Sequence, residues 1–180
     1  MSVIQVKDKK FTPYLTAAQI HEQVKRLAGE INKDYEGKSP LFIAILNGSF
    51  MFASDLFKEL TIEAEISFIK LASYKGTKST GQVITSIGLD ATLTGRHVII
   101  LEDIVDTGKT LHEFLPQLEN QQPASLKIAS LLHKPDALAH PVTIDYLGFN
   151  VPDKFLLGYG LDYDGFARNL KEIYQLTEEL

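Results

Sequence analysis

Residues 98–110 read V-I-I-L-E-D-I-V-D-T-G-K-T, and no other stretch narrows the fold as much. Val98, Ile99, Ile100 and Leu101 are apolar without alternation, as in a strand covered on both faces of a parallel sheet. Three carboxylates follow, Glu102, Asp103 and Asp106, and then Thr107, Gly108, Lys109 and Thr110. Leu111, Leu115 and Leu118 next fall at helical spacing. A strand that carries acids to its carboxyl end and turns into a helix sets unpaired backbone N–H groups beside negative charge. Such a helix start binds phosphate, because the free donors and the helix dipole both favour an anion.

Carboxylates beside a phosphate site are reconciled by a sugar phosphate carried with Mg²⁺. The phosphate takes the amides and the threonine hydroxyls, and two carboxylates take the ribose hydroxyls. Two commoner readings fail. A P-loop needs glycine five positions before the glycine of G-K-T, and that position is Asp103. D-T-G also occurs in aspartic proteases, but that chemistry needs a second aspartate sharing a proton, in a body that the strand and helix pattern does not suggest. An acidic turn with no ligand is the plain alternative, and the thirteen residues taken together weigh against it.

The rest of the chain supplies a frame for this turn. A capping box at Thr16 and Gln19 opens a helix whose buried face is Ile20, Val24, Leu27, Ala28 and Ile31. Residues 41–46 are a second buried strand, ending at Asn47-Gly48-Ser49, with Ser49 placed to cap a helix running to about Leu60. A third strand is expected over 64–72, a polar aperiodic loop over 73–81, and a strand over 83–87. The helix after Gly108 is expected to end near Gln122. Strands follow at 126–132, 144–149 and 155–159, and a last short helix holds Phe166, Leu170, Ile173 and Tyr174. Alternating strands and helices predict an α/β fold: a doubly wound, mainly parallel sheet flanked by helices, with ligands at the carboxyl ends of the strands. Residues 1–15 and 150–180 break the alternation and are expected to form a small hood on a single domain spanning 1–180.

Composition removes several function classes. With net charge −5 and no cluster of lysine or arginine, nucleic acid is not the expected partner. No cysteine is present, which excludes disulfides, zinc–thiolate centres and cysteine nucleophiles. The start M-S-V-I-Q-V-K-D-K-K lacks an apolar signal core, and the longest apolar run is far too short to cross a bilayer. A soluble cytoplasmic protein with no membrane role is the expectation.

Residues 98–110 resemble the phosphoribosyl-pyrophosphate (PRPP) loop of type I phosphoribosyltransferases. A second stretch, V-P-D-K-F-L-L-G-Y-G-L-D-Y-D-G-F-A-R-N-L, strengthens the resemblance and points to the hypoxanthine-guanine branch. The resemblance covers roughly residues 40–170. It implies that Glu102 and Asp103 take the ribose 2′ and 3′ hydroxyls, and that Asp106 is the acid/base at purine N7. Residues Asp106, Thr107, Gly108, Lys109 and Thr110 would cradle the 5′-phosphate. Asn47 and Gly48 resemble the pyrophosphate loop. The middle residue there is often lysine in the family, so Asn47 leaves that position without a side-chain cation. Ser73 and Tyr74, with Ser79-Thr80-Gly81, match the flexible lid, whose closure excludes water from an activated sugar. By the same resemblance Lys134 meets the purine 6-oxo group, Phe155 stacks on the base and Leu156 presents backbone groups to its edge. Asp162, with Glu102 and Asp103, would ligate Mg²⁺, and Arg168 would reach the pyrophosphate.

The expected activity is purine salvage: transfer of phosphoribose from PRPP to hypoxanthine, and to guanine, giving IMP or GMP and pyrophosphate. A homodimer or homotetramer is implied by resemblance alone. The rivals are a relative preferring another base such as xanthine, a non-catalytic nucleotide sensor, and a general sugar-phosphate binding module.

Overall fold

The helix over residues 17–34 shows how directly short motifs become structure here. Thr16 accepts the Gln19 N–H at 3.1 Å, and Gln19 accepts the Thr16 N–H at 2.9 Å. This closes the predicted capping box, and all the face residues from Ile20 to Ile31 are buried. The computed structural model describes residues 2–73, 83–87 and 91–177. In chain order its elements are β1 (Ile4–Val6), β2 (Lys9–Leu15), α1 (Ala17–Asp34), β3 (Leu41–Leu46), α2 (Phe50–Glu59), β4 (Glu65–Ser73), β5 (Val83–Ile87) and β6 (His97–Val105). These are followed by α3 (Lys109–Glu119), β7 (Ser125–His133), β8 (Tyr146–Asn150), β9 (Leu156–Leu157) and β10 (Ile173–Leu176).

The main sheet has the order β5-β4-β3-β6-β7-β8, with β4, β3, β6, β7 and β8 parallel and β5 antiparallel at the edge. The unbroken apolar runs have a simple cause. Phe42, Ala44, Ile99 and Leu101 pack into one core with α1 and α2. The intervening Leu41, Ile43, Val98 and Ile100 pack into a second core with Leu111, Phe114 and Leu118 of α3. Successive side chains alternate faces, and both faces are covered, so no polar position is left. Each of the larger of these side chains contributes roughly 1.5–3 kcal/mol by leaving water.

The chain ends form a second, antiparallel sheet of order β1-β2-β10-β9. Phe11, Leu157 and Tyr174 make its small core. The hood expected from the ends is therefore a sheet in its own right, and its last strand replaces an expected helix. Phe166, Leu170, Ile173 and Tyr174 have helical spacing, but Gly158, Tyr159, Gly160, Asp164, Gly165 and Ala167 all have positive φ. A right-handed helix cannot form through such a series. Phe166 lies 58 % exposed, while Ile173 and Tyr174 join the strand paired with β2. Two smaller expectations also change. The Ser49 hydroxyl donates back to the Ile45 carbonyl at 2.6 Å rather than capping α2. Helix α3 ends at Glu119, short of Gln122.

Candidate active site

Because β3, β6 and β7 are parallel neighbours, residues 46–48, 102–106 and 133–134 all emerge on the same edge of the sheet. Glu102 and Asp103 lie at that edge on the central strand. Glu102 is buried, at 7 % exposure. Burial pushes its carboxyl well above the usual glutamate range, and the adjoining Asp103 charge pushes it further. Burial also raises Asp103, opposed by the Ile104 N–H it accepts at 2.9 Å and by the charge of Arg168. Two adjoining carboxylates, one buried and one partly so, cannot both ionise cheaply, so this pair favours a ligand that brings donors or positive charge.

The turn into α3 makes a pocket of about 80 Å³ lined by Glu102 and residues 104–111. Gly108 has φ +76° and occupies the N-cap position, and a Cβ there would collide with the His140 carbonyl. Glycine is therefore required twice over, by conformation and by space. The Thr107 carbonyl accepts the N–H groups of Ala139 and His140, both at 3.0 Å, which fixes the turn from outside. Lys109, Thr110 and Leu111 open the helix, where amides have no helical acceptor. The Lys109 N–H makes only a long 3.4 Å contact to the Thr107 hydroxyl.

Beside this pocket lies a larger cleft of about 230 Å³. It gathers Gly48, Asp103, Asp106, Lys134, Phe155, Leu156, Asp162 and Arg168, with Ile104 and Leu161 completing its wall. The Lys134 ammonium, on a side chain 9 % exposed, sits 3.2 Å from the half-exposed Asp106 carboxylate and 3.5 Å from Asp153. Phe155 is 44 % exposed, supported edge-on by Tyr163 at 5.9 Å and by the tilted ring of Phe11 at 6.2 Å. Its ring is thus held by two aromatic neighbours and remains partly exposed where it lines the cleft, available to an aromatic partner. Arg168 donates to the Gly160 carbonyl at 2.7 Å and pairs with Asp162 at 2.8 Å. Asp162 also accepts the Gly165 N–H at 2.6 Å. Gly48 lies against the Asp103 carboxylate, and Gly160 lies against the Gly48 carbonyl, so neither leaves room for a Cβ.

Nearly all of the site residues expected from sequence thus converge. Asn47 adjoins the cleft through Gly48 without being among its lining residues. Ser73 ends β4, and Tyr74 with the rest of the expected lid lies outside the described residues. The roles of Tyr159, Gly160, Asp153 and His140 were not apparent from sequence. The signal that marks this backbone-to-backbone approach is the close spacing of Gly158 and Gly160, each with a carbonyl where a Cβ would stand.

Among the described residues no cluster of three or more histidine, aspartate or glutamate side chains is gathered as a metal cage. Separate carboxylates at Glu102, Asp103 and Asp162 suit Mg²⁺, which typically takes one or two protein carboxylates and completes its shell from phosphate oxygens and water. The arrangement can hold a phosphate on free amides, accept hydrogen bonds from sugar hydroxyls, and place a proton acceptor beside an ammonium and an aromatic face. Among the described residues no helix is long and apolar enough to cross a membrane.

Comparison with known proteins adds independent findings. Residues 14–164 match the family model described as the phosphoribosyl transferase domain. A hypoxanthine-guanine-xanthine phosphoribosyltransferase of Tritrichomonas foetus is 41% identical over 162 residues, covering 89% of this chain and 88% of that protein. A hypoxanthine-guanine phosphoribosyltransferase of Streptococcus pneumoniae is 39% identical over 163 residues, covering 90% of this chain and 91% of that protein. The crystal structure of a hypoxanthine-guanine phosphoribosyltransferase from Bacillus anthracis, with a HEPES molecule in its active site, superposes with a TM-score of 0.85. That match has 37% identity and covers 92% of this chain and 96% of the other.

Proposed function

The chain belongs to the phosphoribosyltransferase family, and from that premise we propose that it acts in purine salvage. It transfers the 5-phosphoribosyl group of PRPP to hypoxanthine, and to guanine, giving IMP or GMP and pyrophosphate. The observation that carries this reading is the pairing of Asp106 with Lys134 at 3.2 Å in the cleft that the exposed ring of Phe155 also lines. The N7 and 6-oxo groups of a 6-oxopurine lie on one edge of the base. A group managing the N7 proton and a donor to the 6-oxo oxygen must therefore be neighbours. Adenine presents an amino group where the oxo acceptor would be, which sets a donor against the Lys134 ammonium, gives it no acceptor there and disfavours that base.

The remaining assignments follow the developing charge. Departure of pyrophosphate leaves an oxocarbenium-like ribose, by analogy with glycoside cleavage. Glu102 and Asp103 hold the ribose hydroxyls, and the turn Asp106 to Thr110 holds the 5′-phosphate. The Gly48 amide region and Arg168 receive the pyrophosphate, Arg168 as a planar cation able to donate twice. Asn47 supplies backbone but no charge, so among the described residues Arg168 is the cation offered to the pyrophosphate. Glu102, Asp103 and Asp162 are the residues that would hold Mg²⁺, which when bound neutralises the leaving group. Ser73 and Tyr74 open the segment proposed as a lid. A homodimer or homotetramer acting in the cytoplasm is part of the same reading.

Initial rates with PRPP, Mg²⁺ and each of hypoxanthine, guanine, xanthine and adenine test it. Hypoxanthine and guanine are expected to lead, and adenine as the best substrate would defeat the role given to Lys134.

A further inference from the structure

Residues 158–160 are an unusual piece of backbone in the cleft wall. Gly158, Tyr159 and Gly160 have φ of +96°, +49° and +98°. A tyrosine among them stands in a region that favours glycine. Two bonds hold it there. Its N–H donates to the Leu170 carbonyl at 2.8 Å, and its hydroxyl donates to Asp55 Oδ2 at 2.8 Å, across 104 residues of chain. The ring is buried in the core that also contains Phe52 and Leu56 of α2. The other Asp55 oxygen pairs with Lys58 at 2.8 Å.

Both ends of this bond lead to the same place. Asp55 lies on α2, the helix that residues 47–49 open. Gly160 directly follows Tyr159, packs on the Gly48 carbonyl, and exchanges two hydrogen bonds with Arg168. Its carbonyl receives the guanidinium at 2.7 Å, and its N–H donates to the Arg168 carbonyl at 2.9 Å. The two groups given to pyrophosphate, the Gly48 loop and Arg168, are thus tied together behind the site by Asp55 and Tyr159. Neither of these two residues lines the cleft.

We infer that Asp55 and Tyr159 are a positioning pair for the pyrophosphate half of the site, setting the distance between the Gly48 loop and Arg168. This rests on the reading of Gly48 and Arg168 as pyrophosphate ligands. Asp106 and Lys134 follow β6 and β7, and Phe155 is braced by Phe11 and Tyr163, so none of them is part of this linkage and the base should be bound as before when the pair is broken.

The test is steady-state kinetics on the whole protein carrying Tyr159→Phe, Asp55→Ala or Asp55→Asn, with thermal melting in parallel. Tyr159→Phe and Asp55→Ala should each raise the KM for PRPP, and for pyrophosphate in the reverse reaction, about five- to tenfold, the scale of one hydrogen bond. kcat and the KM for hypoxanthine should stay within about twofold. Asp55→Asn keeps an acceptor for the tyrosine hydroxyl and should restore the KM for PRPP. An active wild type with unchanged KM for PRPP in both broken variants overturns the pairing alone. Equal changes in kcat and in both KM values mark a merely structural role and overturn it too. If Tyr159→Phe does not fold, the contrast between Asp55→Asn and Asp55→Ala decides, and equal behaviour of those two defeats the inference. A wild type inert toward PRPP overturns both this inference and the reading beneath it.

Discussion

Residues 102–111 and residues 153–168 face each other across one cleft, yet they are held by different forces. The first is a contiguous strand-to-helix turn on the central strand of the parallel sheet, flanked by β3 and β7. Its shape follows from one left-handed glycine and the two amides of residues 139 and 140. The second contains little regular structure. It is a series of reversals fixed by Arg168 on Gly160 within the segment and by distant partners outside it, Gly160 on Gly48 and Tyr159 on Asp55. The lesson is that the sheet supplies a preorganised sugar-phosphate half, while the leaving-group and base half depends on how the hood docks. Chemistry should therefore fail sharply when the first half is changed, and binding should loosen by degrees when the second is changed.

The largest expected effect lies in the first half. Asp106→Asn keeps size and removes the acid/base at N7, so kcat should fall about 10²-fold or more, with PRPP affinity largely kept by isothermal titration. Gly108→Ala should come next, because its Cβ meets the His140 carbonyl and its φ is +76°. A loss of roughly 1–3 kcal/mol in denaturant unfolding is expected, together with weaker PRPP binding. Gly165→Ala sharpens the contrast. Its φ of +86° is similar but nothing lies within 4 Å of its Cβ, so only the conformational part of that cost should appear.

In the second half, Phe155→Leu should raise the KM for hypoxanthine about three- to tenfold, the worth of an aromatic pair, with the KM for PRPP unchanged. The smallest effect is one of stability and returns to Glu102. Its folded carboxyl titrates well above the usual range, chiefly through burial. The stability it allows is therefore fully present below the ordinary glutamate pKa and is lost as pH rises through the raised folded value. Ligand-free wild type should lose Tm across that window, whereas Glu102→Gln, with only Asp103 of the pair left to titrate, should lose less and melt a few degrees higher at its upper end. The same variant should turn over more slowly, since an amide is a poorer acceptor for ribose hydroxyls. A Tm profile parallel to wild type would remove the buried-charge account of this pair.

The same division governs what could be seen in the sequence. The buried strands, the capping box at Thr16 and Gln19, and the acids of β6 are contiguous patterns whose physics is local, and they emerged where periodicity put them. The site residues of the second stretch became legible through a family resemblance, not through spacing. Spacing alone misled at Phe166, Leu170, Ile173 and Tyr174, because helical periodicity says nothing about a backbone forced to positive φ at Asp164, Gly165 and Ala167. Ser49 looked like a cap, yet its hydroxyl was claimed by Ile45 one turn back. The bond between Asp55 and Tyr159 joins positions 104 residues apart, and no local pattern marks either of them.

The central claim is that one phosphorylated ribose with its base fills the two halves of this cleft at once. A crystal structure with IMP bound tests it most directly. The account predicts the 5′-phosphate within about 3 Å of the amides at residues 107–110, ribose hydroxyls on Glu102 and Asp103, and the base on Phe155 with its 6-oxo group on Lys134. A nucleotide bound elsewhere, or a base turned away from Asp106 and Lys134, would contradict it.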